Sequence, residues 1–154
     1  MRAGHRTLLA AALAAQLWLA APAAAQLVEA PPTGPAEAAL FQALGQRDGL
    51  GQLADVFVDR LIADPRIGHH FKGIRPAHLK KQIPDFFCLV LGGGCAYEGD
   101  TMKRSHADLK IDRAEFLRVV ELLQDSMDER GISFAVQNQF LARLAPMHRD
   151  IITR

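Results

Sequence analysis

Most of the vocabulary of catalysis is missing from this chain. It has no glycine-rich phosphate loop between strand and helix, no HExxH, no CxxC pair and no nucleophile elbow. No period-two alternation runs long enough to make a strand, and there is no internal repeat or low-complexity tract, so the sequence reads as all-α. Charge of one sign is missing as well. Eighteen Lys and Arg stand against 17 Asp and Glu, a net charge of +1, which gives no electrostatic case for nucleic acid or anionic lipid as partner. No apolar run reaches the roughly 20 residues that a membrane-spanning helix needs.

What is present begins with a basic patch, Arg2, His5 and Arg6, followed by an uncharged apolar run from Thr7 to Ala21 and then Pro22-Ala23-Ala24-Ala25. That order is a secretory signal peptide over residues 1–25, with small residues at Ala23 and Ala25 suiting cleavage after Ala25. The mature protein is then expected in the periplasm or outside the cell, with no membrane attachment once the signal is cut. Removing 25 of 154 residues leaves 129, enough for one compact domain. Arg2 and Arg6 leave with the signal, so the 18 basic residues fall to 16 against 17 acidic, a mature charge of −1. Three prolines in residues 26–35 mark a flexible lead, and the domain is expected over 36–154.

Within that domain, the spacing predicts a short helix over Ala36–Leu44, stopped by Gly45. A longer one begins near Asp48, carries Leu50, Leu53, Phe57 and Leu61, and ends before Pro65. Ile67, Phe71 and Ile74 suggest that part of the following loop presses on the core. Pro76 suits the first turn of a helix whose apolar residues are Leu79, Ile83, Phe86, Phe87 and Val90, with a kink near Lys80–Ile83 imposed by Pro84. After Gly92-Gly93-Gly94 comes a short helical segment bearing His106. Asp112 then caps the next helix, with Glu115 completing a capping box and Ile111 and Phe116 at staple spacing. That helix runs through Val119, Val120, Leu123 and Met127 to Gly131, and a last one from about Ser133 bends at Pro146.

The two cysteines, Cys88 and Cys95, flank the glycine triplet. In an oxidising compartment they make either a disulfide, worth about 2.5 kcal/mol for so short a loop in the chain-entropy model, or two free thiols; spacing alone does not bring their Cα atoms together. Of the mature histidines, His148 reads as solvent-facing. His69 and His70, being adjacent, are not expected to point into one site from regular structure, and no partner for a zinc site is evident. His106 has a different setting. Met102 stands four residues before it and Leu109 three after, with Ile111 and Phe116 beyond, so its imidazole is placed against apolar surface. A haem ligand is one reading of that setting among several, the plainer being a surface or satisfied histidine.

From about Leu40 to Ile152 the sequence resembles the truncated haemoglobins, specifically their group I branch. The residues that carry this are Ala63-Asp64-Pro65-Arg66-Ile67 with Phe71, Phe86-Phe87 leading to Leu91-Gly92-Gly93, Tyr97 with Gly99, Met102-Lys103 before His106, and the later Ile111, Phe116 and Ala145-Pro146-Met147. The Cys88 to Cys95 spacing is similar to a variant within that family. The resemblance implies a globin-like, two-over-two helical sandwich around haem b, with His106 as the proximal ligand to iron. It implies Phe71 and Phe87 against the porphyrin, Val119 and Leu123 deeper in the pocket, and Lys80, Lys81 or Arg104 facing the propionates; for each cation a solvated helix face is the plainer reading.

The departures from the family pattern lie on the distal side. Val58 follows Phe57 where many members have a tyrosine, and counting back from Leu91-Gly92-Gly93 puts Ile83 in place of a glutamine, with Gln82 one residue earlier and Leu79 a turn before. The distal lining is therefore expected to be apolar. Losing one hydrogen bond to bound dioxygen, about 1–1.5 kcal/mol, weakens binding roughly tenfold, and costs nitric oxide or carbon monoxide less. A turn rotated by Pro84 would instead bring Gln82 or His78 toward the iron, although His78 otherwise reads as exposed. The function implied is an exported haem protein that reversibly binds a diatomic gas, O2, NO or CO, acting as a monomer with no redox partner identifiable from sequence. The alternatives are a haem-dependent nitric oxide dioxygenase or peroxidase, and a haem-free helical interaction module.

Overall fold

The computed structural model describes residues 34–154. The expected signal peptide and most of the proline-bearing lead lie outside the described residues. Those residues form helices α1 (Pro35–Ala43), α2 (Gln46–Ala63), α3 (Pro76–Val90), α4 (Met102–His106), α5 (Arg113–Glu129), α6 (Phe134–Leu144) and α7 (His148–Ile151), with 3-10 turns at Gly68–Phe71 and Ala145–Met147. There is no strand among them, and none of their helices is long and apolar enough to cross a membrane.

Two helix pairs build the core. α2 lies against α3 and also against α5, which packs on α6, while α1 closes the stack by touching α2 and α6. This is the two-over-two arrangement expected from the sequence. Leu50, Leu53, Phe57, Val58 and Leu61 supply the buried face of α2, each at most 5% exposed. α3 answers with Pro84, Phe87 and Cys88, continued by Leu91 just past its end, a repeat of three and four residues that makes one continuous ridge. The Phe87 and Phe140 rings meet edge to face, their centroids 5.0 Å apart.

The apolar face expected for α3 thus splits into two stripes. Phe87 lies in the ridge, whereas Leu79, Ile83, Phe86 and Val90 are only half-buried. Pro84 does not divide the helix, which runs through it as one element and buries the ring. Beyond α3, Cys88 and Cys95 are joined as a disulfide, with Cα atoms 5.7 Å apart. Gly93 allows the return, since a Cβ there would lie 2.6 Å from the Cys88 sulfur and 2.7 Å from the Phe41 ring. Burying this bond under Phe41 therefore requires glycine.

Asp64, at the end of α2, is a buried acidic residue that the sequence did not single out. Its Oδ1 accepts from the amides of Arg66 and Ile67 at 2.9 and 3.2 Å, and its Oδ2 from Arg118 Nε of α5 at 2.8 Å. Burial pushes the carboxyl up, but the guanidinium and the two amides outweigh it and hold the group below the ordinary aspartate value. One carboxylate thereby turns the chain after α2 and pins α2 to α5.

Candidate functional site

α4 is a single short helix, and local hydrogen bonds define it at both ends. Thr101 Oγ1 accepts from the Arg104 amide at 3.3 Å, and Ser105 Oγ donates to the Thr101 carbonyl at 3.0 Å. The loop leading into it is held by Tyr97, whose hydroxyl donates to the Asp100 carbonyl at 3.0 Å and whose ring lies 5.4 Å from that of Phe86 on α3. Gly99 sits under this ring; a Cβ there would be 2.3 Å from the phenol oxygen. Burial raises the Tyr97 hydroxyl above its ordinary value, and the Asp100 carboxylate adds to the shift.

At the end of α4, His106 Nδ1 lies 2.7 Å from the Met102 carbonyl oxygen. A carbonyl only accepts, so Nδ1 is the donor, and in the neutral form of the ring Nε2 is the nitrogen that keeps its lone pair. The half-buried ring is thus fixed in one tautomer by the backbone of its own helix.

The exit from α4 is equally determined. Asp112 caps α5, with its Oδ1 accepting from the Glu115 amide at 2.9 Å while Glu115 Oε2 accepts from the Asp112 amide at 3.0 Å, as the capping box requires. The C-terminal residues then strap onto this junction. The amides of Thr153 and Arg154 donate to the Ile111 carbonyl at 2.9 and 3.1 Å, Thr153 Oγ1 accepts from the Ile111 amide at 3.1 Å, and Arg154 pairs with Asp112 at 2.8 Å. α7, just before the strap, packs on α4.

Half-buried apolar side chains stand on four elements: Phe71 in the 3-10 turn, the Leu79, Ile83 and Phe86 stripe of α3, Met102 on α4, and Phe116 with Val119 on α5. Phe71, Ile83, Phe86 and Val119 rest on the fully buried core without being covered themselves. A neutral imidazole with an available nitrogen, together with apolar surface on several elements left partly uncovered, suits a flat apolar ligand with a metal at its centre.

Other expected site residues divide as follows. Phe57, Val58 and Leu123 are wholly in the core, with Val58 at 0% exposure. Phe87 is buried too, so Phe86 and Tyr97, which the sequence reading had not assigned to the pocket, are the half-buried aromatic pair beside the stripe. Gln82 is half-buried and His78 exposed. Lys80 is turned toward α2, where its Nζ donates to Asp59 at 2.8 Å, and Arg104 pairs with Asp100 one turn back at 3.3 Å. Lys81 is exposed, as is His148.

The expectation for His69 and His70 needs correcting. Their rings lie side by side, centroids 4.0 Å apart, and both face Glu115: His70 Nε2 is 3.1 Å and His69 Nε2 3.7 Å from Glu115 Oε1. Adjacent side chains diverge on a helix, and these two lie in the middle of the 3-10 turn, yet their rings pack on each other and share one carboxylate, supplied by an element more than forty residues further on. The Asp112 amide, and then the His70 imidazole, hold the Glu115 carboxyl below its ordinary value despite burial.

The model of the bacterial-like globin family matches residues 39–153. The group 1 truncated haemoglobin of Tetrahymena thermophila is 30% identical over 94 residues, covering 61% of this chain and 78% of that protein. Its counterpart from Tetrahymena pyriformis is 26% identical over 113 residues, covering 73% and 93%. The Fe(III) crystal structure of the T. pyriformis protein superposes with a TM-score of 0.71 at 26% identity, over 75% of this chain and 98% of that one. A 2/2 haemoglobin from Synechococcus, in the cyanomet state with covalently attached haem, shares the fold with a TM-score of 0.69 at 21% identity over 75% and 98% of the two chains. Helix order, a two-over-two core and these relatives agree: the chain belongs to the bacterial-like globin family, and within it to the group 1 truncated haemoglobins.

Proposed function

We propose that the protein holds haem b with His106 Nε2 as the axial ligand to iron, and reversibly binds a diatomic gas on the opposite side. The observation that carries this is the Nδ1 hydrogen bond to the Met102 carbonyl, which leaves Nε2 as the basic nitrogen. Bound haem would supply the iron that takes the gas; the chain's own residues orient the imidazole and exclude water. Phe71, Ile83, Phe86, Met102, Phe116 and Val119 are the side chains proposed to cover the macrocycle, and Leu79 with Ile83 the distal lining. The Fe(III) form and the covalently attached haem of the structural relatives support the cofactor.

A distal side lined by Leu79 and Ile83 and backed by Val58 favours ligands that do not need a hydrogen bond donor, so carbon monoxide and nitric oxide are better suited to it than tight dioxygen storage. The signal-like order of residues 1–25 supports an activity outside the cytoplasm. The test is an absorption spectrum of the purified protein supplied with haem, in ferric, ferrous and carbon monoxide forms. A Soret band and a carbon monoxide adduct are expected, and His106→Ala should lose haem at least a hundredfold faster while keeping its helical circular dichroism. Unchanged haem retention and axial ligation in that variant would reject the proposal.

A further inference from the structure

His69, His70 and Glu115 put three potential metal-ligand atoms within 4.8 Å of one another, and the haem reading uses none of these three residues. We propose that they form a second metal site, for a tetrahedral borderline divalent cation of which Zn²⁺ is the fitting example, bound through the two Nε2 atoms and Glu115 Oε1 with a fourth position open.

Distances support this more closely than proximity alone. Zinc bonds of about 2.0–2.1 Å to nitrogen and oxygen at tetrahedral angles require ligand atoms roughly 3.3 Å apart. The carboxylate oxygen lies 3.1 Å from one imidazole nitrogen and 3.7 Å from the other, on either side of that value. The carboxylate is also oriented in advance. Its Oε2 is engaged by the Asp112 amide at 3.0 Å, so only Oε1 is presented to the histidines. Arg118, one turn along α5, does not compete for it, because its guanidinium is taken by Asp64 and Glu121 at 2.8 and 2.9 Å. His70 and Glu115 are largely shielded, at 12% and 18% side-chain exposure, while His69 at 51% leaves an entry path. Two imidazoles and one carboxylate form a donor set suited to zinc rather than to calcium or magnesium, which prefer all-oxygen shells.

A bound ion would join the 3-10 turn to the first turn of α5, directly beside Phe71. The arrangement does not depend on the haem reading, and its test has a separate readout. The purified protein, with and without added haem, is dialysed to equilibrium against Zn²⁺, and zinc and iron are counted by elemental analysis, with zinc-edge X-ray absorption for the ligands. One zinc per chain is expected in both preparations, with nitrogen and oxygen at about 2.0–2.1 Å and no sulfur. His69→Ala, His70→Ala and Glu115→Gln should each weaken zinc binding at least tenfold without changing the Soret band. Glu115→Gln retains an oxygen for the Asp112 amide, so loss of zinc there does not reflect loss of the cap. His148→Ala should bind as the parent does. No retained zinc in the parent, zinc retained equally by the His69→Ala/His70→Ala double variant, or a loss confined to one of the three variants would overturn the three-ligand site.

Discussion

The two sides of the proposed haem pocket are built by opposite means. Around His106, nearly every connection is a directed hydrogen bond: the Thr101 cap, the Met102 carbonyl, the Asp112 and Glu115 box, and the C-terminal strap on Ile111. On the proposed distal side, α3 offers the half-buried Leu79 and Ile83, Val58 of α2 lies within the apolar core, and the end of α3 is secured by a covalent bond instead. The contrast teaches where accuracy is needed. An axial ligand must be held in position, tautomer and angle, which polar contacts specify, whereas an apolar distal wall needs only shape and exclusion of water.

Beyond the loss of haem expected of His106→Ala, the largest effect should come from removing the covalent tie of the distal side. Reducing Cys88–Cys95, or replacing both with Ala, should lower the free energy of unfolding by about 2.5 kcal/mol in a urea titration and leave the carbon monoxide spectrum unchanged. A shifted spectrum with little loss of stability would mean that the bond shapes the pocket rather than the fold. Next, Ile83→Gln gives the distal wall a donor. It should slow dioxygen dissociation roughly tenfold, about 1.4 kcal/mol, and alter carbon monoxide release far less; equal effects on both gases would refute the distinction.

The smallest effect concerns Asp64, where the two sides meet. Its carboxyl is held below the ordinary value near 4, so its contribution to stability is full above that value and fades as pH falls through the lower, folded one. Asp64→Asn should therefore melt at a lower temperature than the parent at pH 7, with the gap closing as the pH drops below about 4. A gap that stays constant with pH would assign the effect to packing rather than to charge.

Sequence rules of short range carried most of the fold. Gly45, Pro65, Gly131 and the Asp112–Glu115 pair mark helix ends because caps and turns depend on residues within a few positions, and the helices begin and end within two residues of those signals. The carbonyl that orients His106 is likewise only four residues away. What the sequence concealed depends on contacts across the core. Asp64 reaches Arg118 over 54 positions, and His70 meets Glu115 over 45, so neither pairing leaves a local pattern. The division of α3 into a buried and a half-buried stripe was hidden as well, because Phe86 and Phe87 are equally apolar and it is Phe57 of α2 and Phe140 of α6 that meet Phe87 in the core.

The Met102 carbonyl has a consequence for how this protein can change over generations. Because a main-chain atom orients the imidazole, no side chain has to be inherited for that purpose, and residue 102 can drift among helix-forming types without the ring turning. The vulnerable changes are those that alter the course of the backbone, such as proline at 105 or the loss of Thr101. Substitutions there would disturb the histidine while leaving it in place, and a comparison of residue identities at position 106 alone would not detect them.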